Sequence, residues 1–441
     1  MSQDRTIGIS FLGAGNIGTT VISEIERLQV ELFGLSGVSI ELRHVLVRSI
    51  DRAAREAQGF VISAGQITTN VEEIFSDQQT HIIVELMGGE EPAGEYIRRA
   101  LEAGKHVVTA NKAVMAASGA DLFELANRNN LHLQFEASVG GGIPIISSLR
   151  RDLLANDISS IEAIINGTTN FILSKMSTGD DYESALTEAG RLGYAEPDPS
   201  ADVDGHDAVA KSIILAMLAF GALIPKDRVV SQGIRGIESA DMQAALELGY
   251  TIKLLARVQS AGGEVSASVL PTLVGRTTQL GNVSGVTNAA EYKGDLVGTL
   301  FYEGPGAGRE ATTSAILADL IEVVRDEVVG RKPLPFILPK SLPIRAPADL
   351  SSRFFLRLIV ANTSGVLAEI SKILAVAGIS IASVVQKDIL TNSEIAESLP
   401  ESAELILTTH VSNRGQLEQA IKEFDDSGAV LQIGSVLPIS G

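Results

Sequence analysis

Three patterns in the 441 residues predict an α/β protein. Short apolar runs alternate with helical periodicity over the first third of the chain. A glycine turn, Gly13-Ala-Gly-Asn-Ile-Gly18, directly follows the first of those runs. A stretch with five prolines, Gly330 to Asp349, precedes elements in the order βαββαβ. Alternating strands and helices build a parallel, doubly wound sheet, so residues 1–136 are expected to form a Rossmann-type nucleotide-binding domain. Residues 137–329 mix helical and β-type periods, as an α+β domain does. Residues 330–351 are expected to be a linker, and residues 352–441 a ferredoxin-like unit.

Composition narrows the chemistry. The chain has no cysteine, which removes disulfides, thiolate metal sites and thiol nucleophiles. Its net charge of −19 opposes nonspecific binding to nucleic acid or an anionic membrane. The start, Met-Ser-Gln-Asp-Arg, lacks a signal-peptide pattern and no apolar run has transmembrane length, so a cytoplasmic protein is expected.

Thr6 to Leu12 gives the first strand, and a helical pattern from Thr19 to about Leu32 follows the turn. Gly13 permits the tight bend, Gly15 lets backbone approach a pyrophosphate, and Gly18 allows close helix packing. The helix start at Asn16 and Ile17 offers amides to phosphate. The second strand, Glu41 to Arg48, ends where an acid would grip a ribose 2′-hydroxyl. Arg48 stands there instead and suits a 2′-phosphate, which favours NADP, while nearby Asp51 keeps NAD open.

Strands at His81–Leu86, His106–Thr109 and Leu131–Glu136 alternate with helices at Pro92–Ala103 and Ser118–Asn129. The carboxyl ends of such strands face the ligand crevice. Met87, Gly88, Thr109 and Lys112 are therefore cofactor candidates, and Lys112 is also a candidate catalytic cation. After a glycine-rich stretch to Pro144, Ser159–Ile165 is a strand ending in Asn166-Gly-Thr-Thr-Asn170, suited to a small polar ligand or to a plain capped turn. Gly304, in Glu303-Gly-Pro-Gly-Ala-Gly308 ahead of an apolar helix, marks either a second cofactor contact or a simple connection.

The densest chemistry lies in Leu192–Lys211, where Glu196, Asp198, Asp202, Asp204 and Asp207 precede one lysine. Pro197 and Pro199 keep the first half out of helix, and a helix begins near Gly205. Asp207 and Lys211 then fall on one face, four residues apart. An exposed pair of this kind contributes only a few tenths of a kcal/mol. The helix after Lys211 is apolar nearly all round, however, which implies that both charges are buried.

Asn166-Gly-Thr-Thr-Asn-Phe-Ile-Leu and Leu192-Gly-Tyr-Ala-Glu-Pro-Asp-Pro through Asp207 to Lys211, together with the glycine turn, resemble homoserine dehydrogenase carrying a C-terminal ACT regulatory domain. The resemblance covers nearly the whole chain. It implies reversible NAD(P)-linked interconversion of aspartate 4-semialdehyde and homoserine. Lys211 would be the catalytic acid, with Lys112 sharing the proton transfer or fixing the substrate. Glu196, Asp202 and Asp207 would hold the substrate's polar ends, and Thr168 and Tyr194 would line its pocket. The resemblance also implies a sodium ion held by Glu136 and by the carbonyls of Val139, Gly141 and Ile143, a last catalytic helix packed back on the first domain, and a homodimer or homotetramer. ACT domains often show Asp-x-Pro-Gly-Val-Leu where this chain has Asn362-Thr-Ser-Gly-Val-Leu367, so Asn362, Gly365 and Leu367 are the effector candidates, with threonine as effector. Two rival functions bear on the same residues. A semialdehyde dehydrogenase that makes an acyl phosphate needs a cysteine, and a non-catalytic nucleotide and amino-acid sensor leaves the lysines and the acidic loop without a purpose.

Overall fold

The computed structural model describes residues 5–29, 38–50, 64–388 and 401–441, so Asp51 lies outside the described residues. The chain groups into two compact units. The first comprises Met1–Asp157, Met217–Leu223 and Tyr302–Ser341, and the second Ile158–Ala216, Ile224–Phe301 and Leu342–Gly441.

The first unit is built on six strands: β1 (Arg5–Leu12), β2 (Val38–Leu46), β3 (Ile67–Thr68), β4 (Thr80–Glu85), β5 (His106–Thr109) and β6 (Leu133–Gln134). They pair in parallel in the order β3-β2-β1-β4-β5-β6. The chain reverses its winding between β1 and β4, and ligands of such sheets bind outside the carboxyl ends of the strands at that point. Ile7, Ile9, Phe11, Ile82 and Val84 form the core, joined by Ile316, Leu320, Val323 and Val324 of the helix Arg309–Val329. That i, i+4, i+7, i+8 spacing puts the four side chains on one stripe. The helix expected from Ser118 starts at Lys112, because the Asn111 side chain accepts hydrogen bonds from the amides of Ala113 and Val114.

In the second unit the strands are β7 (Ile158–Ile164), β8 (Val230–Ser231), β9 (Tyr250–Ala261), β10 (Glu264–Gly275), β11 (Thr287–Gly294), β12 (Gly298–Pro305, whose residues from Tyr302 on belong to the first unit), β13 (Ser351–Ala361), β14 (Ile381–Asp388), β15 (Ser402–Thr409), β16 (Ser412–Asn413) and β17 (Val430–Ile439). They form one mixed sheet in the order β12-β11-β7-β9-β10-β17-β13-β15-β14, with β8 on β10 and β16 on β13. Its last four strands are antiparallel in the ferredoxin-like order, packed on the helices Val366–Val376 and Arg414–Ser427 through Leu356, Leu358, Ile370, Leu374, Leu405 and Phe424.

The C-terminal βαββαβ unit continues the sheet that precedes it, because β17 also pairs with β10 at Leu273 and Ile439. The proline-rich stretch is fastened too. Asn127 and Phe336 exchange two hydrogen bonds of 2.8 and 3.1 Å within the first unit. Within the second, Val265 donates to Pro343 O and accepts from Arg345 N–H, each at 2.8 Å. No helix among the described residues is long and apolar enough to cross a membrane.

Candidate active site

Asn166 follows β7 and caps the helix Gly167–Met176 in extended geometry, its Oδ1 accepting from the amide of Thr169 at 2.9 Å. Its Nδ2 is thereby aimed at the acidic loop and donates to Asp202 Oδ1 at 2.6 Å and Asp207 Oδ2 at 3.0 Å. Asp207 and Lys211 lie on the helix His206–Phe220, and Lys211 Nζ donates to Asp207 Oδ2 and to the carbonyl of Ile165, both at 2.7 Å. Lys211 is 9 % and Asp207 8 % exposed, so the pair is buried and not a surface ion pair. An ammonium has three donors, and the third donor of Lys211 has no protein partner among the described residues.

Thr168 Oγ1 donates to the carbonyl of Tyr194 at 2.6 Å, and the Tyr194 ring meets Phe171 edge-on at 5.1 Å. The structure thus brings Thr168, Tyr194, Asp202, Asp207 and Lys211 onto one scaffold. Glu196 is exposed beside Tyr194 and makes no hydrogen bond or ion pair among the described residues. Asp204 is held by Arg235 at 2.6 Å and Asp198 caps Ser200, so the loop acids divide between structural and available groups. Asn166 was readable only as part of a small polar string, and nothing in sequence showed that its amide would join two acids.

The cofactor candidates all belong to the first unit, as does Lys112, whereas Lys211 belongs to the second. Gly13 has φ +101° and its amide donates to Leu46 O at 3.1 Å. A Cβ on Gly18 would sit 2.8 Å from Gly13 O, while one on Gly15 would meet nothing within 4 Å. Two glycines therefore close the turn, and the middle one leaves open space for a ligand's approach. The helix Asn16–Leu28 carries no side-chain cap and no acid in its first turn, so the amides around Asn16 and Ile17 face outward in a field favourable to anions. Arg48 is exposed just past β2 and has no ion-pair partner among the described residues.

At the ends of β4 and β5 stands a residue that sequence reasoning missed. Glu85 is fully buried, accepting from Met87 N–H at 2.7 Å and Thr109 Oγ1 at 2.6 Å. It fixes Met87, the start of the Gly88 turn at φ +77°, and Thr109. Inside an apolar strand it carried no local signal. Lys112 is half-buried at the first turn of its helix.

Glu136 is buried and opens a short 3-10 turn, which ends the expected strand at Gln134. Its carboxylate accepts from the amides of Ile146 at 2.9 Å and Ser147 at 2.6 Å. Burial pushes its pKa up, with those hydrogen bonds and the Arg150 charge opposing the shift. Val139, Gly141 and Ile143 follow on a bend set by Gly140 and Gly141 at φ +77° and +56°. A Cβ on Gly141 would lie 2.4 Å from Gly306 O, and one on Gly304 would lie 3.3 Å from the Ile143 side chain. This bend packs on the end of β12, which carries Gly304, and on Gly306 just beyond it. In the C-terminal unit, Asn362 is exposed, Gly365 has φ +99° at the start of the helix Val366–Val376, and Leu367 is exposed beside it.

Residues 13–136 match the family model described as "Homoserine dehydrogenase, NAD binding domain", and residues 144–321 match that described as "Homoserine dehydrogenase". Homoserine dehydrogenase of Mycobacterium leprae is 38% identical, with 100% of this chain and 99% of the relative aligned. That of Synechocystis is also 38% identical, over 98% and 99%. The crystal structure of the Thiobacillus denitrificans enzyme superposes with a TM-score of 0.91 at 37% identity, covering 100% of this chain and 99% of the other. A hyperthermophilic archaeal homoserine dehydrogenase in complex with NADPH matches 73% of this chain and 98% of its own, with a TM-score of 0.63 at 30% identity. The chain belongs to the homoserine dehydrogenases, a family of NAD(P)-dependent oxidoreductases.

Proposed function

We propose that the chain interconverts L-aspartate 4-semialdehyde and L-homoserine with Lys211 as acid and base. The observation that carries the assignment is a buried lysine paired with Asp207, which Asn166 joins to Asp202 of the acidic loop, with one donor left over. When bound, the dinucleotide supplies or accepts the hydride. Negative charge then grows on the carbonyl oxygen during reduction, where a desolvated ammonium stabilises it and gives up a proton. Asp207 and the Ile165 carbonyl hold Nζ in place, and Asn166 spaces Asp207 from Asp202. Asp202, Asp207 and Glu196 supply negative charge for the substrate's ammonium group, and Thr168 and Tyr194 shape the pocket wall. Lys112 takes a second role, sharing the proton transfer or fixing the substrate.

Gly13, Gly15, Asn16, Ile17 and Gly18 would hold the pyrophosphate of the cofactor, with Met87, Gly88, Thr109, Lys112 and Gly304 as further contacts. Exposed and without an ion-pair partner among the described residues, Arg48 favours NADP over NAD. The NADPH named for the archaeal relative is in keeping with that preference. A sodium ion suits Glu136 with the carbonyls of Val139, Gly141 and Ile143, since hard cations take oxygen ligands. The ferredoxin-like unit would act as an ACT domain binding threonine at Asn362, Gly365 and Leu367, where amides at a helix start hold a carboxylate. We expect a homodimer or homotetramer, which sedimentation would separate from a monomer.

The test is homoserine oxidation with NADP or NAD followed at the nicotinamide absorbance, repeated with threonine for the full chain and for Asn362→Ala. Turnover is expected with both cofactors and better with NADP. Threonine should inhibit the full chain and act more weakly on Asn362→Ala. Cofactor binding without turnover would favour the sensor, and equal inhibition of both forms would move the effector away from Asn362.

A further inference from the structure

The second unit holds another buried lysine that the proposed chemistry does not use. Lys253, on β9, is 4 % exposed and has no carboxylate partner among the described residues. Its Nζ donates to Asn170 Oδ1 at 3.2 Å and to the carbonyl of Val283 at 2.5 Å. Burial is the only cause acting on its pKa, which falls to about 8. Burying an ammonium without a carboxylate beside it is costly, and only its hydrogen bonds offset that cost.

What they hold is the helix that begins at the site. Asn170 lies one turn beyond Asn166, to whose carbonyl its amide donates at 3.2 Å. Asn170 Nδ2 donates to the carbonyls of Gly285 at 3.0 Å and Thr287 at 3.2 Å, and Ser174 Oγ accepts from Gly285 N–H at 3.2 Å. A Cβ on Gly167 would lie 2.6 Å from Val286 O, so the helix start rests on the 283–287 turn without room for a side chain. The Lys253 ammonium donates both to this turn, at Val283, and to the helix, at Asn170.

We propose that Lys253 is a positioning residue for the reaction. Through Asn170 it fixes the helix Gly167–Met176, and with it the Asn166 amide that orients Asp202 and Asp207 around Lys211. This rests on the assignment of Asn166, Asp207 and Lys211 to the active site. It involves no contact of Lys253 with substrate or cofactor.

The experiment compares Lys253→Met, Asn170→Ala and the double variant in homoserine oxidation, with Lys211→Ala in parallel and NADPH binding read by nicotinamide fluorescence. Each single variant should lose roughly 10- to 100-fold in kcat/KM for homoserine, the scale expected when a catalytic group is misplaced by about 1 Å. Cofactor binding should stay within twofold of wild type. If Lys253 acts through Asn170, the double variant should lose little more than either single one, because a shared interaction is counted once. Additive losses, or a wild-type kcat/KM in Asn170→Ala, would overturn the proposal, and the Asn170 arm decides it even if Lys253→Met does not fold. Full turnover in Lys211→Ala would instead sink the underlying site assignment.

Discussion

Two buried ion pairs in the second unit use the same kinds of group in different ways. Lys211 and Asp207 meet at 2.7 Å on one helix, next to a loop whose Glu196 is exposed. Arg357, on β13 and 1 % exposed, meets the fully buried Asp241 at 2.5 Å, reaches Glu238 at 2.5 Å and lies 3.5 Å from Glu404. Asp241 also accepts from Ser435 Oγ at 2.5 Å and from the Glu238 amide at 2.8 Å. Gly434 leaves space for the guanidinium, since a Cβ there would sit 2.6 Å from its Cζ. Burial opposes the Arg357 charge, but Asp241 and Glu238 outweigh it and raise the pKa. Each nitrogen of this guanidinium faces a carboxylate, and it joins β13 of the C-terminal unit to the helix Ser239–Glu247. Lys211 keeps a donor in hand. A buried guanidinium with a carboxylate at each nitrogen ties elements together, whereas a buried ammonium beside a polar loop, with one donor left, has capacity for a ligand.

That contrast is open to direct attack. Lys211→Ala should reduce turnover by about 10² to 10⁴ fold, the usual worth of a positioned acid–base group, with cofactor binding nearly unchanged. A rate within about tenfold of wild type would break the comparison at its catalytic end. Arg357→Ala should do the reverse, since leaving Asp241 buried without its partner costs roughly 3–5 kcal/mol of stability. Denaturant unfolding would show this, and kcat of the folded fraction should hold. A stable Arg357→Ala with lost turnover would mean that the pair serves the site. Arg48 sharpens the comparison with a third case, an exposed cation free of partners among the described residues. Arg48→Ala should raise the NADP KM roughly tenfold, as expected for one charged hydrogen bond, and leave stability and the NAD KM alone. Equal weakening of both cofactors would make Arg48 structural.

The same contrast explains what could be read in advance. Lys211 and Asp207 are separated by one helical turn, so period alone placed them together. Arg357 and Asp241 are over a hundred positions apart in sequence, and no local pattern pairs them. The strand β9 was likewise hidden. Its central residues are buried on both faces, which erases the alternation that marks a half-exposed strand and leaves an apolar run that could equally be helix. The helix Gly167–Met176 was masked by the polar string that starts it, because Asn and Thr favour turns until a cap converts them into a helix start.

The sequence by itself determined the glycine turn, the helix carrying Asp207 and Lys211, and the βαββαβ order of the C-terminal part, because each depends on spacing within a few residues. Only the tertiary structure decided that Asn166 would tie Asp202 to Asp207, that Glu85 would brace Met87 and Thr109, and that β17 would join β10 in one sheet. These contacts link residues distant in the chain, and each is stable only because the fold removes water from groups that would otherwise have hydrogen-bonded to it.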